Sequence, residues 1–106
     1  VPDFEIRAPL HLLLHVLVPL VVARLVWPKD WKRAALWMLA AWVIDLDHLL
    51  AEPIYAPGRC SIGFHPLHTW PAIVAYAGLA LPRKTRWFGI GLLIHIVLDG
   101  IDCLLM

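Results

Sequence analysis

Charge is scarce in this chain. Only 16% of its 106 residues are Asp, Glu, Lys or Arg, and nine basic residues nearly cancel eight acidic ones, leaving a net charge of +1. That balance excludes the basic footprint of a nucleic-acid-binding protein. There is no Ser/Gly linker, no internal repeat and no low-complexity tract, so a single domain over residues 1–106 is expected. Cysteine is limited to Cys60 and Cys103, and neither is flanked as a thiol nucleophile or a C-x-x-C zinc site would be. What the chain has in excess is apolar surface: 61% of residues are hydrophobic and the mean hydropathy is +0.76. A soluble domain this small buries little more than half of what its unfolded chain exposes. The composition therefore points to a membrane protein.

Four apolar stretches, at about 8–27, 33–51, 66–81 and 87–106, approach the ~20 residues that cross a bilayer, the third being the shortest. The expected fold is all-α, a polytopic bundle of four transmembrane helices. Pro28, Pro53, Pro66 and Pro82 punctuate the boundaries, whereas Pro19 and Pro71 fall inside helices, where a kink is expected. The first stretch lacks a basic start and a small-residue cleavage site, so it reads as a retained helix rather than a signal peptide.

Lys29, Lys32 and Arg33 occupy the first connection and Arg83, Lys84 and Arg86 the third, against Arg7 and Arg59 on the opposite side. By the positive-inside rule both basic loops are cytoplasmic and both termini lie outside, which in a bacterial inner membrane is the periplasm. Trp27, Trp31, Trp37 and Trp87 then form an interfacial aromatic belt, and Arg24 snorkels to the same interface.

Against this background the polar residues stand out. A charge in the bilayer core costs at least ~2.5–3.5 kcal/mol, so it faces the bundle interior and has a use. The first helix carries His11 and His15, four apart and on one face. The second carries Asp45, Asp47 and His48 near its end. The third opens with His65 and His68, and the fourth carries His95, Asp99 and Asp102 on one face. The alternating directions of the helices bring every one of these to the outer half of the membrane. Asp45 and His48 project together, whereas Asp47 lies roughly 160° from Asp45 on an ideal α-helix at ~100° per residue.

Mixed imidazole and carboxylate clusters bind zinc, manganese or iron. The candidate metal ligands are His15, Asp45, Asp47, His48, His65, His68, His95 and Asp99, with His11 and Asp102 in supporting positions. That set exceeds one tetrahedral shell, so one or two divalent ions are expected, zinc first. Asp47 is the choice for general base or bridging ligand. The carboxyl ends of the second and fourth helices favour a cation, and the amino end of the third favours an anion such as phosphate, a pairing that suits metal-assisted phosphoester chemistry. Arg59, in the outer loop, is either a surface charge or a phosphate clamp. Haem held by two histidines leaves the aspartates unexplained. A proton or ion pathway lacks any continuation through the inner half. Cys60 and Cys103 both map to the outer side, where a disulfide is permitted, although their separation cannot be read from sequence.

The order of the motifs resembles that of a known family. Asp45-Leu46-Asp47-His48, His65-Pro66-Leu67-His68-Thr69 and His95-Ile96-Val97-Leu98-Asp99 are similar to the DxDH, HRGxTHS and HxxxD motifs of a family of inner-membrane-associated metal-dependent hydrolases, which also has an early histidine in its first helix. The stretches Ile44–Leu50 and Arg59–His68 resemble a smaller bacterial membrane family of unknown function still more closely. The departures are the two-residue spacer Pro66-Leu67, with no arginine in it, and Thr69 in place of a serine. The resemblance implies a metal-dependent hydrolase. The expectation is thus hydrolysis of a lipid ester or phosphoester at the outer leaflet, with membrane lipids as partners, no nucleic acid, and either a homo-oligomer or a larger membrane complex. The competing expectation is a non-catalytic accessory subunit of such a complex, with a structural metal or haem site.

Overall fold

The computed structural model describes residues 4–50, 60, 62–63 and 65–104, without the side chains of 4–8 and 47–49. It contains four α-helices and, among the described residues, no strand: α1 (Phe4–Val26), α2 (Trp31–Leu39), α3 (Trp70–Leu79) and α4 (Arg86–Leu104). Two of them are long and apolar enough to cross a membrane, α1 over Pro9–Val26 and α4 over Arg86–Leu104. Only 17% of the α1 span is buried inside the protein, and Leu12, Leu13, Val21 and Leu25 are all more than half exposed. A core helix of a soluble protein hides most of its apolar surface; α1 presents it outward.

The second apolar stretch is not one α-helix. Its α-helical part stops at Leu39, and Ala40–Leu50 continue as a 3₁₀ segment. Burial follows the three-residue repeat of that geometry, in which residues i and i+3 eclipse. Ala41 and Ile44 are buried, Trp42 and Asp45 are half-buried, and Val43 and Leu46 are exposed. The segment thus turns one edge to the core and the next to the polar cluster.

The third stretch is also divided. Pro66–His68 form a single 3₁₀ turn, Thr69 is extended, and α3 begins at Trp70. Pro71 accordingly occupies the first turn of α3 rather than the helix interior, which corrects the expected kink. Proline at that position loses no helical hydrogen bond, and its ring would clash with the carbonyl of residue i−4, here Leu67, if the helix continued backward. The Leu67 carbonyl accepts a 2.6 Å hydrogen bond from the Tyr76 hydroxyl instead. With ten residues, α3 is about 15 Å long, half the thickness of a bilayer's hydrocarbon core.

Every other helix packs on α4. Ala41, Ile44, Tyr76, Leu92 and Ile96 form one core between the 3₁₀ segment, α3 and α4, while Ala23, Ala34, Ala35 and Met38 form a second beside it. The crossing of α2 and α4 is close because Gly91 has no side chain: a Cβ there would lie 2.5 Å from the Met38 Cα. Gly89 makes the corresponding approach to the backbone of Leu79 and Ala80. Thr85 Oγ1 and the Arg86 guanidinium donate to the carbonyls of Leu79, Ala80 and Leu81, closing the carboxyl end of α3. At this end of the molecule the two basic loops meet. Trp27, Asp30, Arg83, Lys84, Arg86 and Trp87 line one cleft, with the Trp27 and Trp87 rings 6.1 Å apart.

Candidate metal centre

The polar residues gather at the other end, from four separate elements. α1 supplies His11 and His15, the 3₁₀ segment Asp45, the Pro66–His68 turn His68, and α4 His95, Asp99 and Asp102. His15, His68, His95 and Asp99 are each less than 5% exposed, among the most buried side chains of the molecule. His15, His95 and Asp99 lie on helices otherwise rich in Leu, Val and Ile, and His68 ends the short turn before α3.

Two groups of ligand atoms result. In the first, one atom from each of Asp45, His68, His95 and Asp99 lies within 4.8 Å of the other three. His95 Nε2 is 3.0 Å from Asp45 Oδ1 and 3.3 Å from Asp99 Oδ2; His68 Nε2 is 3.3 Å from Asp45 Oδ1 and 2.9 Å from Asp99 Oδ2. Nitrogen and oxygen alternate around this ring. Four ligands at the ~2.0–2.1 Å typical of zinc–nitrogen and zinc–oxygen bonds stand about 3.3 Å from one another in a tetrahedron, close to these spacings. The second group is His11, His15 and Asp99. Here His11 Nε2 and His15 Nε2 approach Asp99 Oδ1 at 3.1 and 3.2 Å.

Hydrogen bonding fixes one tautomer. His15 Nδ1 lies 2.8 Å from the His11 carbonyl oxygen, which can only accept, so Nδ1 carries the proton. In the neutral ring Nε2 then holds a lone pair. His15 Nε2 and Asp99 Oδ2 are both buried and make no hydrogen bond, although groups of opposite kind lie 2.9–3.3 Å away. Their donor and acceptor directions do not point at each other. Buried polar atoms left in this state cost free energy, and a cation shared among them removes the cost. Histidine ligands also characteristically donate their second ring N–H to a backbone carbonyl, as His15 does. The donor set and its geometry fit a divalent metal ion; these buried His/Asp clusters could hold one.

Several expected residues take other places. His65 is buried, its ring centroid 5.7 Å from that of His68, but it enters neither group. His11, expected in support, stands at ligand distance with His15 and Asp99. Asp102 is one step farther out, 4.0 Å from His11 Nδ1. The side chains of Asp47 and His48, and Arg59 entirely, lie outside the described residues. Cys60 and Cys103 are joined in a disulfide with Cα atoms 5.1 Å apart. It ties the chain just before His65 to α4 one turn beyond Asp99.

Trp42 was not among the sequence candidates. Its Nε1 donates to the His15 carbonyl at 3.4 Å, and its ring stands edge-on to His15 and His95, at 5.8 and 6.4 Å between centroids. The available signal was its spacing, three residues before Asp45 and so on the same edge of the segment. Tyr76 was missed as well; it holds the turn that carries His68 through the Leu67 carbonyl.

Neither the curated proteins nor the solved structures contain a match to this chain. A protein-family comparison does: over residues 5–106 the chain belongs to a family of unknown function (DUF6122).

Proposed function

We propose that this protein is a membrane-embedded, metal-dependent hydrolase acting on a lipid ester or phosphoester. The observation that carries the reading is the convergence of Asp45, His68, His95 and Asp99, from three elements, on one buried point. Asp45, His68, His95 and Asp99 would hold the ion, with His15 and His11 beside them. A divalent ion bound there would supply Lewis acidity toward a substrate oxygen and toward water. The protein's own part is to orient the ligands. The His11 carbonyl sets the His15 tautomer, Trp42 packs against the rings of His15 and His95, and Tyr76 braces the His68 turn. The side chains of Asp45 and His11 are 37% and 24% exposed, which supports access to the cluster from its surroundings.

The bundle has four crossings in this reading. α2 and its 3₁₀ continuation together extend roughly 35 Å, and α3 with the Pro66–His68 turn makes the shortest crossing. Both basic loops lie on the cytoplasmic side of a bacterial inner membrane, and the metal centre opens to the outer leaflet, from which a lipid would enter laterally. The ring spacings argue against haem. The His11–His15, His15–His95 and His68–His95 centroids are 4.1, 4.4 and 5.7 Å apart, too close for a porphyrin plane between any of these pairs.

A second reading is a non-catalytic subunit with a structural metal. It is favoured by one observation: the first group already offers four protein ligands, the number at which structural zinc sites close. The test is hydrolysis of ester and phosphodiester lipids in mixed micelles by zinc-loaded protein, wild type beside Asp47→Ala. The hydrolase reading predicts turnover by the wild type, and loss of turnover with the metal retained in the variant. No turnover of any lipid class by metal-replete protein would favour the subunit.

A further inference from the structure

Among the described residues Asp99 is common to both ligand groups, and it gives a different oxygen to each. Oδ2 faces His68 and His95 at 2.9 and 3.3 Å, while Oδ1 faces His11 and His15 at 3.1 and 3.2 Å. Each oxygen thus has its own pair of histidine nitrogens at ligand distance, the arrangement of a carboxylate that serves two groups at once. We infer that the centre holds two divalent ions bridged by the Asp99 carboxylate, the second bound by His11, His15 and Asp99 Oδ1. This deepens the metal reading above and does not depend on the hydrolase activity.

The second site has independent support. His15 is 3% exposed and its Nε2 makes no hydrogen bond. Its Nδ1 proton is committed to the His11 carbonyl, so in the neutral ring Nε2 has no proton to give to Asp99 Oδ1, 3.2 Å away. An unprotonated ring nitrogen and a carboxylate oxygen at that distance repel one another, and a cation shared by both removes the repulsion. The spacing of His11 and His15, one helical turn, lets both rings serve a single ion from one face of α1.

The two ions are not equivalent. The first has four protein ligands. Among the described residues the second has three, the number found in catalytic zinc sites, where the fourth position takes water or substrate. His11, the most exposed of its ligands, stands at the edge of the cluster with Asp102 4.0 Å from its Nδ1. The second ion is therefore the one that meets substrate, and the first, with Asp99, holds the frame.

The test is ion counting on full-length protein in detergent, stripped with chelator and refilled with Mn²⁺ by equilibrium dialysis, with electron paramagnetic resonance of the filled protein. The wild type is expected to bind two equivalents with an exchange-coupled spectrum. The His11→Ala, His15→Ala double variant is expected to keep one, with the spectrum of an isolated ion. If that variant fails to fold, the partly exposed His11→Ala alone is expected to weaken the second equivalent at least tenfold and leave the first in place. A single equivalent in the wild type, or two equivalents with no coupling, overturns the bridged pair while leaving a one-ion hydrolase standing. No bound ion overturns both.

Discussion

His15 Nε2 faces Asp99 Oδ1 at 3.2 Å, while the opposite ring nitrogen of His15 gives its proton to the His11 carbonyl. This pair joins the first and last helices of the chain. It also sets the Asp99 carboxylate at the middle of the cluster, where His11, His15, His68 and His95 all lie within 3.3 Å of it. Asp99→Asn keeps the shape but removes the charge and one acceptor oxygen. It is expected to lower metal affinity at least a hundredfold while the protein still folds, measured by competition with a chromogenic chelator. Unchanged affinity would remove Asp99 from the ligand set.

Gly91 is the contact point of α2 and α4, and His95 follows it by one turn. Gly91→Ala places a methyl group against the Met38 backbone, so α2 must move away. Overpacking of this kind costs ~1–3 kcal/mol. A lower midpoint of thermal unfolding in detergent is expected, together with weaker metal binding as Asp45 and His95 separate. A variant as stable as wild type would mean that the crossing is looser than described.

Tyr76 is buried, and its hydroxyl bond to the Leu67 carbonyl steadies the turn bearing His68. Tyr76→Phe removes one hydrogen bond, about 1 kcal/mol. The expected result is a small loss of stability and a several-fold loss of metal affinity, read by the same chelator competition. The affinity change should disappear in a background that already lacks His68.

The Cys60–Cys103 disulfide closes a loop with a sequence separation of 43, for which the chain-entropy estimate is about 4 kcal/mol. Cys60→Ser, Cys103→Ser is expected to lower the unfolding midpoint and to loosen the segment leading into His65 and His68. Non-reduced protein should show no thiol reactive toward a maleimide after denaturation. Free thiols in protein isolated without reductant would contradict the bridge.

The positions of α1 and α4 were legible because a run of Leu, Val and Ile near 20 residues long has few structural uses. The cluster was legible for a related reason. His15, His95 and Asp99 sit in such runs, where only an interior use offsets their cost. The breaks at Ala40 and Thr69 were not. A 3₁₀ helix has poorer hydrogen-bond geometry than an α-helix and seldom runs beyond three or four residues, so nothing in the apolar run Ala40–Leu50 announces it. At Thr69 the two prolines were visible, but their effect depends on which carbonyl Pro71 would strike. The role of His11 turns on the angle of α1 to α4, and that of Trp42 on the 3₁₀ geometry that sets it beside Asp45. Neither is a property of one segment. Among the described residues, the carboxylate that reaches both groups is Asp99, an assignment that needed both oxygens to be seen.

The most direct test of the metal centre is elemental analysis by mass spectrometry of detergent-purified protein, wild type beside a His68→Ala, His95→Ala variant. The predicted result is bound transition metal in the wild type and its loss from the variant. A wild-type protein that holds no metal, even after refilling with zinc, manganese and iron, would contradict the account at its centre.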